Sequence, residues 1–92
     1  MLDIEYTARF KRDARRMRKQ GRDIEKLDAA ILSLRRGEAL PASMRDHDLA
    51  GSYRGHRECH VGPDWLLIYR VDARALVLTA VRTGSHADLL GM

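Results

Sequence analysis

A largely apolar segment at residues 65 to 71, unbroken from 65 to 69, constrains the fold more than any other part of the chain. It reads Trp-Leu-Leu-Ile-Tyr-Arg-Val and directly follows the turn-forming sequence Gly62-Pro63-Asp64. A short apolar run bounded by turn residues is typical of a buried strand. The run is also far too short to span a bilayer. The sequence therefore predicts a sheet with residues 65 to 71 in its interior.

Alternating segments predict the other strands of this sheet. Residues 2 to 6 and residues 75 to 83 have strand-like patterns, and a short turn at 72 to 74 precedes the second. Residues 53 to 61 also alternate, with Tyr53, Cys59 and Val61 on one side. The opposite side of this strand is polar and carries Arg54, His56, Glu58 and His60. We expect Cys59, on the apolar side, to belong to the core.

Two amphipathic helices are predicted between the first strand and the rest of the sheet. The first is capped by Thr7 and is interrupted at Gly21, and its apolar face comprises Phe10, Ala14 and Met17. The second begins near Asp23 and stops at Gly37, and its apolar face comprises Ile24, Leu27, Ile31 and Leu34. Residues 37 to 52 have no periodicity, and a loop this long is usually functional or wrongly assigned. After the last strand, Ser85 can cap a single helical turn.

Taken together, the elements predict one α+β domain over residues 1 to 92 in the order βααβββ. The helical hairpin packs on a mostly antiparallel four-stranded sheet. The one cysteine excludes an internal disulfide, so packing or a partner must supply stability. The N-terminal sequence lacks the features of a signal peptide, which predicts a cytoplasmic protein without membrane segments.

Positive charge is concentrated in the first helix. The chain has a formal net charge of +4, and residues 9 to 22 hold eight cations against the single acid Asp13. Most of the cations are arginines, which suit phosphate groups well. A solvated helix face explains such a run equally well in general. Its density on so small a domain favours a polyanionic or acidic partner.

Three histidines and one aspartate are candidates for acid–base chemistry. His47 lies in the long loop, His60 at the end of a strand, Asp64 in the turn and His86 after the last strand. Histidine can donate or accept a proton near neutral pH. Each residue also has an ordinary structural explanation: a solvated loop, a strand surface, an Asx turn and a helix cap, respectively. The sequence alone leaves these alternatives open.

The second half of the chain resembles a known family. Residues 45 to 71 read RDHDLAGSYRGHRECHVGPDWLLIYRV and residues 81 to 91 read VRTGSHADLLG. The ordered set of motifs D-H-x-L-x-G, R-E-C-H-V-x-P-D-W-L-L-I-Y and R-T-G-S-H resembles the YafQ-like branch of the RelE/ParE toxin superfamily. The opening DIEYTARFKRD and the helical hairpin also fit. The resemblance therefore covers nearly the whole chain.

This resemblance implies the toxin of a bacterial type II toxin–antitoxin pair, acting as a ribosome-dependent, metal-independent mRNA endoribonuclease with a RelE-like fold. It implies catalytic roles for His47, His60, Asp64 and His86. We expect RNA or phosphate contacts from four residues around them: Arg82, Glu58, Arg57 and Tyr53. No cofactor or metal is expected. The family pattern often has an aromatic residue at the position of Leu90, which puts the substrate preference in question.

The resemblance also implies partners. These are an acidic, DinJ-like antitoxin, the ribosome and mRNA, in a hetero-oligomeric toxin–antitoxin complex that binds operator DNA through the antitoxin. We expect six cations of the first helix to dock on ribosomal RNA: Lys11, Arg12, Arg15, Arg16, Arg18 and Lys19.

Three other interpretations compete with this one. A zinc hydrolase could use the same His/Asp set, but the set contains no close histidine pair, and nearby arginines oppose a dication. A ParE-like toxin acts by binding a protein such as DNA gyrase and lacks this His/Asp set. A plain nucleic-acid-binding module explains the basic run but leaves the histidines without a role.

Overall fold

A computed structural model describes residues 1–91; Met92, the end of the domain predicted over residues 1 to 92, lies outside the described residues. The sequence forms five strands, three α-helices and two short 3₁₀ turns, at Ala42–Met44 and Gly51–Tyr53. The strands are β1 (Asp3–Tyr6), β2 (His47–Asp48), β3 (Arg57–Gly62), β4 (Trp65–Asp72) and β5 (Val77–Gly84). The helices are α1 (Ala8–Lys19), α2 (Ile24–Arg35) and α3 (His86–Leu90).

The sheet is mixed and has the order β1-β5-β4-β3-β2. β1 pairs with β5 in parallel, and the other three pairings are antiparallel. The prediction of an α+β fold is confirmed, but the prediction of four strands is wrong. The fifth strand, β2, lies within residues 37 to 52, which were expected to be a loop. Its two residues are too few to show any periodicity.

β4 is the central strand, and its alternation divides the core into two clusters. Trp65, Leu67 and Tyr69 face α1 and α2 and belong to the larger cluster with Cys59. Leu66 and Ile68 face the other way and pack with Leu49, Tyr53, Leu89 and Leu90. The helical hairpin therefore covers one face of the sheet, while α3 and the segment around β2 cover part of the other.

The predicted strand over residues 53 to 61 begins later in the structure. Residues 51–53 form a 3₁₀ turn, and β3 starts at Arg57. Tyr53 therefore does not share the side of Cys59, as the alternation predicted, and packs instead on the cluster of Leu66 and Ile68. The sequence alternates before the strand begins, and the prediction therefore extended the strand back into the 3₁₀ turn.

The helices begin where the capping residues predict. The Thr7 hydroxyl accepts a hydrogen bond from the Phe10 amide at 2.9 Å and donates one to the Val81 carbonyl at 2.8 Å. Asp23 caps α2 through the Glu25 amide. The apolar faces are buried at Phe10 and Met17 in α1 and at Leu27, Ala30 and Ile31 in α2. Within residues 1–91, no helix is both long and apolar enough to cross a membrane.

Candidate active site

The turn between β3 and β4 directs a carboxylate toward the start of α3. Pro63 and Asp64 connect the two strands, and Asp64 has a positive φ of 47°. Aspartate tolerates this left-handed conformation better than most residues. Asp64 Oδ1 accepts hydrogen bonds from the His86 main-chain N–H at 3.0 Å and from His86 Nδ1 at 2.8 Å. Both bonds join the turn to the first residue of α3.

These contacts determine how the His86 ring is used. The His86 main-chain N–H, then its side chain and more weakly Arg22, lower the pKa of Asp64. An ionised carboxylate only accepts hydrogen bonds, so Nδ1 of His86 carries the hydrogen in this contact. A carboxylate that fixes the tautomer in this way leaves Nε2 as the nitrogen available for proton transfer.

His60 faces this pair from β3. The ring centroids of His60 and His86 are 5.6 Å apart, and the ring planes are inclined by 56°. His60 also lines an open groove of about 430 Å³, whose other lining residues belong to the segments 43–45 and 61–63. Two imidazoles and a carboxylate therefore lie together at the accessible end of the β3–β4 hairpin.

His47 is placed on the same sheet face by β2. Its register partner on β3 is Glu58, and Glu58 and His60 are two residues apart on that strand. His47 and His60 are thus diagonal neighbours, a relationship that separates side chains by roughly 7–8 Å. The structure brings His47 near the cluster through a strand that the sequence pattern did not reveal.

His47 contacts polar atoms through both of its ring nitrogens. Its Nδ1 lies 2.6 Å from the Arg45 carbonyl oxygen and donates to it. Its Nε2 lies 3.1 Å from Glu58 Oε2. These two contacts hold the ring of His47 between its own loop and β3.

Glu58 is a buried acid with one oxygen left without a partner. The residue is 4% exposed, and within residues 1–91 its Oε1 is buried and makes no hydrogen bond. The register continues across the sheet from Glu58 to Ile68 and then to Arg82. Glu58 is thus adjacent to His47, and Arg82 lies two strands away in the same row.

Arg82 is held by an aspartate from α1. Its Nε and one terminal nitrogen donate to the two oxygens of Asp13 at 2.7 and 3.2 Å. Asp13 is 2% exposed and also accepts from the Thr83 amide. Hydrogen bonding to Asp13 is the main cause of a raised pKa of Arg82. The guanidinium is therefore fixed and charged, with 8% of the residue exposed.

The remaining predicted contacts are distributed over both faces of the sheet. Arg57 shares the face of Cys59, opposite His60, and bonds to Asp46 and Asp48 at 3.3 and 2.7 Å. Hydrogen bonding to Tyr69, then to Asp46, raises the pKa of Arg57. Tyr53 lies on the face of His60 but is half-buried and packs edge-on against His56. The structure brings together His60, Asp64 and His86, with His47 beside them, and it does not bring Arg57 to that face.

The basic helix is exposed, with one exception among the six predicted docking residues. Lys11, Arg12, Arg15, Arg18 and Lys19 are exposed, whereas Arg16 is half-buried. Arg16 forms ion pairs with Asp13 at 3.3 Å and with Asp88 at 3.5 Å. Sequence reasoning missed Asp13, although it lies three residues after Phe10 on the buried stripe. A charged residue at a buried helix position was the sequence signal that could have identified Asp13.

Cys59 and the candidate metal ligands have clear placements. Burial, the largest effect, raises the pKa of the Cys59 thiol to about 12. A buried thiol of this kind is a core residue rather than a nucleophile.

The part of the chain that the structure describes contains no group of three or more His, Cys, Asp or Glu side chains arranged to hold a metal ion.

Several known proteins are similar to this chain in sequence and in fold. The mRNA interferase toxin YafQ of Escherichia coli (strain K12) is 40% identical over 90 residues, which are 97% of this chain and 96% of that protein. The toxin chain in a crystal structure of the E. coli DinJ-YafQ complex has a TM-score of 0.88 and 39% identity, over 99% of this chain and 100% of that chain. A crystal structure of a metal-bound toxin from Helicobacter pylori has a TM-score of 0.91 and 36% identity, over 97% and 99%.

A family model described as the bacterial toxin of type II toxin-antitoxin system, YafQ, matches residues 2–91. The match includes the His60, Asp64 and His86 cluster, the strand that carries His47 and the whole helical hairpin. The chain therefore belongs to the YafQ family of toxins from bacterial type II toxin–antitoxin systems.

Proposed function

We propose that this chain is an mRNA endoribonuclease that cleaves messages on the ribosome and thereby inhibits translation. The observation that carries the proposal is the Asp64–His86 contact of 2.8 Å, with His60 5.6 Å from His86 between ring centroids. Such an arrangement supplies two proton-transfer groups in fixed relation to each other. The name of the E. coli relative, an mRNA interferase, supports the same substrate class.

RNA cleavage without a metal needs a base, an acid and a source of positive charge. The base removes the proton of the 2′-hydroxyl, which attacks the adjacent phosphorus, and the acid protonates the departing 5′-oxygen. His86, oriented by Asp64, can fill one of these two roles through Nε2. His60, whose ring centroid is 5.6 Å from that of His86, can fill the other. A positioned acid or base typically accelerates such a step 10²–10⁴-fold, to order of magnitude.

His47 and Glu58 complete the acid–base set in this proposal. Glu58 contacts the His47 ring at 3.1 Å, and an imidazole held there can donate or accept a proton. Arg82 supplies the charge that stabilises the phosphorane, because Asp13 fixes its guanidinium and its register places it in the same row as Glu58. Glu58 and Tyr53 remain proposed RNA contacts, and Arg57 is the weakest candidate because it lies on the opposite face.

The exposed cations of α1 provide a docking surface for ribosomal RNA. Five of the six predicted residues are exposed, namely Lys11, Arg12, Arg15, Arg18 and Lys19. Arginine and lysine that neutralise phosphates release counterions, which makes binding strongly salt-dependent. The sixth residue, Arg16, contributes less to docking because it is bonded within the protein.

The proposed regulator is an acidic antitoxin similar to DinJ. An E. coli relative of similar structure is found in a complex with DinJ. A net charge of +4 on this chain favours an acidic partner. We propose a hetero-oligomeric complex that binds operator DNA through the antitoxin, in the cytoplasm, where ribosomes translate.

The test is cleavage by purified toxin on translating ribosomes, with mapping of the mRNA 5′ ends. Wild type should cut messages in frame and arrest growth when expressed, and His86→Ala should reduce the cleavage rate by about 10²-fold or more. His56→Ala is the matched control, because His56 lies outside the cluster and should keep full activity. Growth arrest that persists in His86→Ala and Asp64→Ala with intact mRNA would support the gyrase-binding alternative and refute this proposal.

Metal dependence is tested separately because an H. pylori relative is known in a metal-bound form. Toxin stripped of metal by chelation and then returned to magnesium-containing ribosomes should cleave at the untreated rate. Activity that requires added zinc or copper would favour the hydrolase interpretation. Elemental analysis of the stripped toxin provides the control.

A further inference from the structure

Two of the eight cations between residues 9 and 22 differ from the rest in exposure and contacts. Six are exposed: Arg9, Lys11, Arg12, Arg15, Arg18 and Lys19. Arg16 and Arg22 are half-buried and bonded to other segments of the protein. A docking surface for RNA needs free cations, so these two arginines need a different explanation.

Arg22 holds the turn that carries Asp64. One terminal nitrogen donates to the Pro63 carbonyl oxygen at 2.9 Å. The guanidinium carbon lies 5.6 Å from the centroid of the Trp65 ring, within the range of a cation–π contact. Pro63 and Trp65 are the neighbours of Asp64 on either side. Arg22 therefore contacts the turn on both sides of the catalytic carboxylate.

Arg16 holds the helix that carries His86. It pairs with Asp88, which forms a capping box with Ser85 at the start of α3. The contact runs past Gly84, where a Cβ would lie 3.2 Å from the Arg16 guanidinium and 3.1 Å from Asp88. A side chain at position 84 would therefore crowd this pair. Arg16 connects α1 to the segment immediately before and after His86.

The Asp64–His86 pair needs such support because it is itself exposed. The side chains of Asp64 and His86 are 60% and 37% exposed. An exposed ion pair contributes little stability of its own. The relative position of the two residues must therefore come from the turn and the helix that carry them. Those are the segments that Arg22 and Arg16 contact.

We propose that Arg22 and Arg16 are positioning residues, which hold Asp64 and His86 in register for proton transfer. This inference rests on the ribonuclease proposal for its rate effects, but not for its structural effects. The basic run then has two separate roles. Its exposed cations bind the ribosome, and its two half-buried arginines orient the catalytic pair.

The kinetic test separates rate from binding. Single-turnover cleavage on programmed ribosomes gives a rate constant at saturating toxin and the toxin concentration for half-maximal rate. Arg22→Gln and Arg16→Gln should each lower the saturating rate about 10-fold with little change in half-saturation, because small misplacements of catalytic groups are costly. Arg18→Gln should instead raise the half-saturating concentration. Arg36→Gln, an exposed arginine at the end of α2, should alter neither.

Conservative variants add a readout that loss of stability does not mimic. Arg22→Lys keeps a charged donor near Pro63 and should recover most of the rate that Arg22→Gln loses. Unfolding midpoints of all variants show whether the proteins are folded at the assay temperature. A loss of rate in Arg22→Gln that Arg22→Lys does not restore at all would overturn the role of Arg22.

The structural test does not depend on ribonuclease activity. In the free protein, the ¹⁵N resonances of the His86 ring report whether Nδ1 is hydrogen-bonded to Asp64. Arg22→Gln and Arg16→Gln should shift these resonances toward those of Asp64→Asn, and Arg36→Gln should leave them in place. Unchanged His86 resonances would overturn the inference even if the ribonuclease proposal holds. If the His86 resonances shift as expected but the wild-type toxin cleaves no RNA, the positioning role is supported and the ribonuclease proposal is refuted.

Discussion

Asp64 contributes to the site through its backbone conformation as well as through its carboxylate. The residue has a φ of 47° at the second position of a two-residue connection, and one of its oxygens accepts two hydrogen bonds from His86. Asparagine tolerates the same conformation and keeps an acceptor oxygen, whereas alanine loses both features. The two substitutions at this position therefore separate charge from geometry.

The lowered pKa of Asp64 predicts a dependence of stability on pH. A carboxyl whose folded pKa is depressed stabilises the protein above its unfolded pKa, about 3.9, and that contribution is lost as pH falls through the folded value. Wild type should be more stable than Asp64→Asn at pH 6, and the difference should vanish in strongly acidic solution. Urea unfolding at a series of pH values measures it. Asp28→Asn, an exposed aspartate of α2, is the control. A difference that grows on acidification would contradict the prediction.

At the scale of single residues, the sequence predicted the proposed acid–base groups, whereas it did not predict the arginines that contact the segments carrying them. His60, Asp64 and His86 were named from the resemblance, and the structure places them together. Arg22 was counted only as part of a charge run, and Arg16 was predicted to dock on ribosomal RNA. A helical pattern shows which face is basic, but it does not show which arginine reaches a turn more than forty residues away.

Among the secondary-structure elements, α1 is joined to β5 by a buried charge. Asp13 accepts hydrogen bonds from Arg82 and from the Thr83 amide. β1 pairs with β5 only as far as Ala80, so residues 82 and 83 lie beyond the end of β1, where β5 is open to the helix. The Thr83 hydroxyl accepts from Trp65 and donates to the Leu66 carbonyl, which extends the network into β4. One helix, two strands and the fixed arginine of the site thus share one polar network.

Removal of the Asp13 charge should be strongly destabilising. Asp13→Asn leaves Arg82 buried without its counter-charge, and breaking a buried pair in this way typically costs about 3–5 kcal/mol. Urea unfolding gives the free energy, and Asp28→Asn is again the control. Arg82→Met combined with Asp13→Asn should cost less than the sum of the single changes, because the two residues interact directly. Additive costs, or a cost of Asp13→Asn below about 1 kcal/mol, would show that the pair is not coupled.

The elements were predictable to the extent that they are long enough to show a period. The helices, their caps and the three long strands follow from spacing and capping residues, within a few residues at the ends. β2 does not, because two residues carry no pattern, and its pairing with β3 depends on contacts distant in sequence. That strand positions His47, so this part of the site depended on tertiary structure.

Over the whole molecule, the cations of the first helix and the proposed acid–base groups occupy different segments. The exposed cations lie on α1, whereas the proposed acid–base groups lie on β2, on β3, in the β3–β4 turn and at the start of α3. A protein arranged in this way can change its affinity for a polyanion without changing its chemistry. The resemblance implied both proposed functions, and the exposed cations of α1 are the ones accessible to a polyanionic partner.

This separation predicts how salt affects the proposed activity. The half-saturating toxin concentration for ribosome-dependent cleavage should rise steeply with salt, whereas the rate at saturation should change little. Neutralising Arg12, Arg15 and Arg18 together should reduce the slope of log affinity against log salt by about 0.9 for each phosphate that the variant no longer neutralises. Arg36→Gln should leave the slope unchanged. A salt dependence that survives the triple neutralisation would place the docking surface elsewhere.

The location of Asp64 and His86 at an exposed edge has a consequence for how such a gene can change over generations. Neither residue belongs to the two apolar clusters that hold the sheet and helices together. If Asp64 and His86 act in catalysis as proposed, a single nucleotide change in the codon for either one disarms the protein and leaves both clusters intact. In the proposed complex, the disarmed copy would still present the rest of its surface to an antitoxin. Loss of toxicity and loss of the partner interaction can thus be inherited as separate events.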